Sequence, residues 1–154
     1  MRGGVGEWRL ALALCGAVVA LDQGTKAIAE SALVPGQRAD FVLGVEFANV
    51  HNKGVAFGFF GDGSDWVLAL TLVALAVIFA FLAREASQSG LWIPAGLLAG
   101  GALGNLADRI RTDAVTDFID VPLWPTFNLA DVAIVAGVVW LALAYVVSGR
   151  EASR

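Results

Sequence analysis

The sequence predicts an all-α integral membrane protein with four transmembrane helices and a small extracytoplasmic β-sheet. Three observations predict it. Hydrophobic residues make up 58% and charged residues 16% of the 154 positions, where soluble domains run near one half and one quarter. The mean hydropathy is +0.73. Runs 66–83, 91–107 and 132–149 carry no charge, and each approaches the ~20 residues needed to cross hydrocarbon. The same composition excludes a disordered chain. A formal net charge of -4 without a Lys/Arg cluster excludes a nucleic-acid partner. The single Cys15 excludes an internal disulfide, and the single His51 excludes zinc sites of the HExxH type.

The first span is the least regular. Leu10 to Leu21 is short, and reaches spanning length only by including Asp22 and Lys26. These two share one helix face at i and i+4 and can pair there. The spans are therefore placed at about 9–29, 66–83, 91–108 and 129–148, within one domain covering 1–154. A cleaved leader over 1–20 is the alternative for the first span, with Arg2 and Arg9 as its basic end. Leu14 is too large for a lipobox residue before Cys15. Four spans put both termini on one side, with Arg2, Arg9, Arg84, Arg150 and Arg154; the positive-inside rule makes that side cytoplasmic. Trp8, Trp66, Trp92 and Trp124 fall near span starts, as an aromatic belt requires, while Trp140 is assigned to packing. Between the first two spans, Phe41, Leu43, Val45 and Phe47 alternate at strand period, so the sheet region is placed at about 38–62. Gly54, Gly58, Gly61 and Gly63 punctuate its far end.

The polar residues gather at one level, the outer interface. Asp22 and Lys26 close the first span; Asn105, Asp108 and Arg109 close the third; Asp113, Asp117 and Asp120 occupy the second outer loop; Asn128 and Asp131 open the fourth span. Each group has a plain structural reading. Asp22–Lys26 is an i,i+4 pair. Asn105 and Asp108 with Arg109 end the third span as a buried ion pair. Asn128 and Asp131 form a capping box. Gly96, Gly100 and Gly104 are a helix-packing stripe. As a set they resist that reading, because five aspartates between 108 and 131 repel one another beside a membrane, which keeps one protonated.

Nucleophilic serine chemistry is excluded, since there is no GxSxG and no serine has a plausible histidine partner. No ligand spacing supports a metal, and no cofactor is expected. A pair of aspartates sharing a proton remains: one deprotonates water while the other polarises a carbonyl. Spacing alone leaves the pair open, with Asp117–Asp120 and Asp108–Asp131 equally admissible. The competing class is a small four-span transporter or assembly factor, which would place its acids near mid-bilayer.

DQGTK at 22–26, NKGVAFG at 52–58, GGALGNLADR at 100–109, VTDFID at 115–120 and FNLAD at 127–131 resemble, in this order, the bacterial lipoprotein signal peptidases (signal peptidase II). The resemblance implies an aspartyl endopeptidase of the inner membrane. Such an enzyme removes the signal peptide from prolipoproteins on the amino side of a diacylglyceryl-modified cysteine, with membrane lipid as its surroundings. By motif, it implies Asp117 and Asp131 as the catalytic dyad. It implies Asp22, Lys26, Asn52, Asn105, Asp108, Arg109 and Asn128 as supporting or substrate-binding positions. The family fold, four transmembrane helices with an extracytoplasmic sheet cradle, agrees with the strand pattern above. Val55 stands where the family commonly has alanine. Asp131 in the first turn of a helix faces its positive end, which makes it the better candidate for the resting base, with Asp117 carrying the shared proton; a coupled pair titrates as a unit, so the sequence leaves the split open.

Overall fold

The computed structural model describes residues 3–53, 73, 76 and 90–152. The predicted span 66–83, apart from Val73 and Ala76 (both helical), and the sheet region beyond 53 lie outside the described residues. Among the described residues, these elements follow in order: α1 (Gly3–Ala32), β1 (Arg38–Val42), β2 (Val45–Asn52), α2 (Trp92–Thr112), β3 (Val115–Asp120) and α3 (Leu129–Ala152).

Helix α1 outruns the predicted span at both ends and stops where Pro35 disfavours helical backbone before it. Val34–Pro35–Gly36–Gln37 then makes a tight turn, with Gly36 at φ 85 and the Gln37 N–H bonded to the Val34 carbonyl at 3.0 Å. Proline followed by a left-handed glycine is the signature of a type II turn. Among the described residues, one stretch, Gly6–Ala32, is long and apolar enough to cross a membrane; Leu129–Ala144 is a shorter apolar stretch.

Helix α2 is central, between α1 and α3. The predicted glycine stripe is what lets it in. A Cβ on Gly96 would stand 2.8 Å from the Ala11 carbonyl oxygen, and one on Gly100 would stand 2.7 Å from Val18 Cβ. On the other side, a Cβ on Gly137 of α3 would stand 2.8 Å from Leu98 Cγ. Backbones this close leave room only for small residues. The result is an inside-out distribution. The largest fully buried side chains include Lys26, Asn128, Asp22 and Asp108, whereas Leu12, Leu21, Val135 and Leu143 are exposed. A water-soluble domain has the reverse arrangement. Trp140, expected to pack inside, is half-exposed on α3 among the described residues.

The sheet departs from the sequence reading. The alternation from Phe41 to Phe47 is not one strand but a hairpin. Val42 pairs with Val45 across a two-residue turn, with Leu43 at φ 51 and Gly44 at φ 81. Left-handed backbone at both positions makes the mirror-image turn that suits strand twist, so the pattern passes through a reversal that a period-two count does not register. The third strand is β3, drawn from the aspartate-rich segment read as loop. It pairs antiparallel with β2, placing Val50 opposite Asp117 and Asn52 opposite Val115, with an irregularity between Phe47 and Val50. Four consecutive residues, Val115 to Phe118, are buried. A strand covered on both faces shows no alternation, which hid it.

Candidate active site

The site begins with a buried cation. Lys26 Nζ lies 2.7 Å from Asp22 Oδ2 and 2.8 Å from Asp108 Oδ2, and donates to Asn105 Oδ1 at 3.0 Å. The i,i+4 pair expected within the first span is present, and the same ammonium also ties α1 to α2. Two carboxylates and an amide oxygen take up its three protons, the condition under which a buried charge is tolerated. Asp22 Oδ1 accepts the Ala130 N–H at 2.9 Å, so it also holds the first turn of α3. Gly104 permits this approach, since a Cβ there would stand 2.7 Å from Asp22 Oδ2.

Asp108 does not pair with Arg109, as the sequence suggested. Adjacent helical residues point in different directions. Asp108 turns toward Lys26 and accepts from Gln23 Nε2 at 2.9 Å and from the Thr116 N–H at 3.3 Å. Arg109 turns the other way. Its Nη1 donates to the Asn105 carbonyl at 3.3 Å, and its charge acts on Asp131 and Asp117 as well as on Asp108.

Two carboxylates sit above this base, held by amides. Asn128 Nδ2 donates to Asp117 Oδ1 at 2.6 Å, and Asn52 Nδ2 donates to Asp117 Oδ2 at 3.0 Å. Asn105 Nδ2 donates to Asp131 Oδ1 at 2.8 Å. The capping box forms as expected: the Asp131 N–H donates to Asn128 Oδ1 at 3.0 Å, and the Asn128 N–H to Asp131 Oδ2 at 3.3 Å. Asn128 thus touches both acids, so its capping and site readings are one arrangement. Asp117 is pushed up to about 6, chiefly by burial and further by the charge of Asp131; the Asn52 and Asn128 hydrogen bonds and Lys26 oppose the shift.

The structure sorts the five aspartates. Asp108 is committed to Lys26. Asp113 is the left-handed cap that ends α2, its N–H bonded to the Arg109 carbonyl. Asp120 pairs with Arg38 at 2.5 Å. Asp117 and Asp131 remain, brought together by Asn128. Three contributors were not singled out in the sequence. Gln23 lies within the DQGTK block and bridges Gly104 and Asp108. Thr116 and Glu30 bond side chain to side chain at 2.7 Å, tying β3 to α1. Nothing in the sequence marks Glu30, whose partner lies 86 positions away. His51 is exposed and pairs in the ladder opposite Thr116.

Among the described residues, Asp117 and Asp131 each border an opening. An apolar groove of about 430 Å³ runs along α3 from Asp131, lined by Trp124, Phe127, Val132, Val135, Ala136 and Val139. A cavity of about 480 Å³ opens beside Asp117, among His51, Asn52, Lys53, Pro125 and Thr126.

A helical assembly with polar interior, apolar exterior and a carboxylate pair between a helix start and a small sheet defines a membrane-type protein with an acidic site. The family model described as signal peptidase (SPase) II matches residues 14–147, and the chain belongs to that family. The lipoprotein signal peptidase of Nitratidesulfovibrio vulgaris is 36% identical over 96% of this chain and 93% of its own length. That of Dehalococcoides mccartyi is 37% identical over 90% of this chain and 89% of its own. A bacterial membrane enzyme solved by the in meso method at 1.9 Å resolution superposes with a TM-score of 0.81 at 28% identity, covering 88% of this chain and 91% of that one.

Proposed function

We propose that this chain is an aspartic endopeptidase of the bacterial inner membrane. It removes signal peptides from prolipoproteins by cutting on the amino side of a diacylglyceryl-modified cysteine. The observation that carries the reading is the pair Asp117–Asp131. Both are held by asparagine amides rather than by an ion pair among the described residues, and Asn128 links them. Family membership and the names of the curated relatives support the substrate class.

In this reading Asp131, at the positive end of α3, is the base that takes a proton from water. Asp117, raised to about 6, holds the shared proton and donates a hydrogen bond to the scissile carbonyl. Water adds to that carbonyl, and the proton passes to the departing amine as the C–N bond breaks. Asn52, Asn105 and Asn128 fix the carboxylate orientations, and Arg109 balances their charge. Asp22, Lys26 and Asp108 hold the three helices that carry them. The apolar groove beside Asp131 admits the membrane-embedded part of the substrate. Four spans (α1, α2, α3 and the run 66–83) make up the single domain, with both termini cytoplasmic and the acids at the outer face.

A transporter or assembly factor would place its acids where a charge crosses the bilayer; here Asp131 opens α3 and Asp117 lies on strand β3 of the sheet. The test is incubation of the purified protein with a diacylglyceryl-modified prolipoprotein, with and without globomycin. Cleavage before the modified cysteine, blocked by globomycin, is expected. Failure to cleave while the substrate is bound would favour the non-enzymatic reading.

A further inference from the structure

Two tight turns meet at one edge of the sheet. The β1–β2 turn holds Leu43 at φ 51, and the turn after β3 holds Leu123 at φ 65. A Cβ on Gly44 would stand 3.9 Å from Pro122 Cγ, so the turns are neighbours. Left-handed backbone disfavours leucine and is usually given to glycine or asparagine. Both leucines are nevertheless fully exposed, at 99% and 105%, and Phe41, Val42 and Trp124 beside them are exposed too. Water gives no reason to turn such side chains outward.

The patch is continuous with an apolar surface. Trp124 lines the groove along α3 with Val132, Val135 and Val139, and those valines are themselves exposed. The nearest acids, Asp40, Glu46 and Asp120, lie two or three residues behind the tips. Arg38 stands within 2.5 Å of Asp120 and 3.9 Å of Glu46. An apolar tip, a tryptophan and a charged ring behind them match the order of a bilayer surface from hydrocarbon to headgroup.

We infer that the paired turns Leu43–Gly44 and Pro122–Trp124 are a two-pronged lipid anchor, entering the hydrocarbon boundary of the bilayer and fixing the height of the sheet above it. Asp117 lies on β3, which ends at Asp120 and leads into the second prong, so the anchor sets the depth at which the acids meet a membrane-held substrate. The inference rests on the membrane reading above, but not on peptidase chemistry or on the side the sheet faces.

The test labels single cysteines at 43, 123 and, as a control, His51 at the far end of β2. Each carries bimane in a Cys15→Ser background, in phosphatidylcholine vesicles with doxyl lipids in both leaflets. Labels at 43 and 123 should be quenched several-fold more than the label at 51; equal quenching overturns the anchor. The double variant Leu43→Gly/Leu123→Gly removes the apolar groups and suits the left-handed backbone, so it should fold. Its KM for a lipid-anchored prolipoprotein should rise several-fold in vesicles, with kcat unchanged and detergent activity equal to the parent. An unchanged KM in vesicles overturns the depth-setting role. If the parent cleaves no prolipoprotein, the peptidase reading fails while the quenching result stands on its own.

Discussion

Asp117 and Asp131 differ in their surroundings more than in their chemistry. Asp117 is buried on a strand between two asparagine amides, while Asp131 opens a helix and accepts from its own capping partner. Each is needed if a proton shuttles between them. Asp117→Asn and Asp131→Asn should each lower turnover by about 10³-fold or more, with unchanged expression and melting behaviour in detergent; near-normal turnover of either variant would remove that residue from the pair. Because the acids interact, the pH profile belongs to the pair. With Asp117 raised to about 6, the singly protonated pair is lost as pH rises through that region, so kcat/KM should fall on the alkaline side. Arg109 favours the ionised acids by Coulomb attraction. Arg109→Ala should therefore hold the proton to higher pH and move the alkaline limb upward, besides reducing the rate. A profile that stays in place with only a lower yield would make Arg109 a structural residue.

At the scale of elements, the joints between helices are polar or glycine-lined rather than greasy. Lys26 joins α1 to α2 through Asp22, Asp108 and Asn105, and Asp22 joins both to the start of α3. Removing one partner of a buried ionic cluster leaves uncompensated charge, at a cost of about 3–5 kcal/mol. Lys26→Met should lower stability by about that amount, read as a drop in detergent melting temperature and expression, with activity reduced but measurable. Little loss of stability would mean that water reaches the cluster. The i,i+4 half of this joint was legible in the sequence, because its spacing is helical. Asp108 as second partner was not, since 82 positions separate it from Lys26, and the adjacent Arg109 looked the nearer cation.

For the whole molecule, the orientation proposed from the distribution of Arg residues is one that the proposed chemistry requires. An impermeant maleimide should label Lys53→Cys in intact cells, and Gly6→Cys only after permeabilisation, both in a Cys15→Ser background. The opposite pattern would invert the topology and put the acids on the wrong face for an exported substrate. The hydropathy pattern by itself determined the apolar exterior, the extents of α2 and α3 to within a few residues, the glycine stripe and the capping box. All of these are local, set by composition and by spacings within one or two helical turns. The tertiary structure decided the rest. It split the apparent strand at Leu43–Gly44, built β3 from the acidic loop, gave Asp108 to Lys26 and Asp120 to Arg38, and left Asp117 and Asp131 joined by Asn128. Five aspartates are alike in a sequence. Only long-range packing decides which meet a cation and which meet an amide, because burial and charge pairing depend on neighbours that the chain brings from far away.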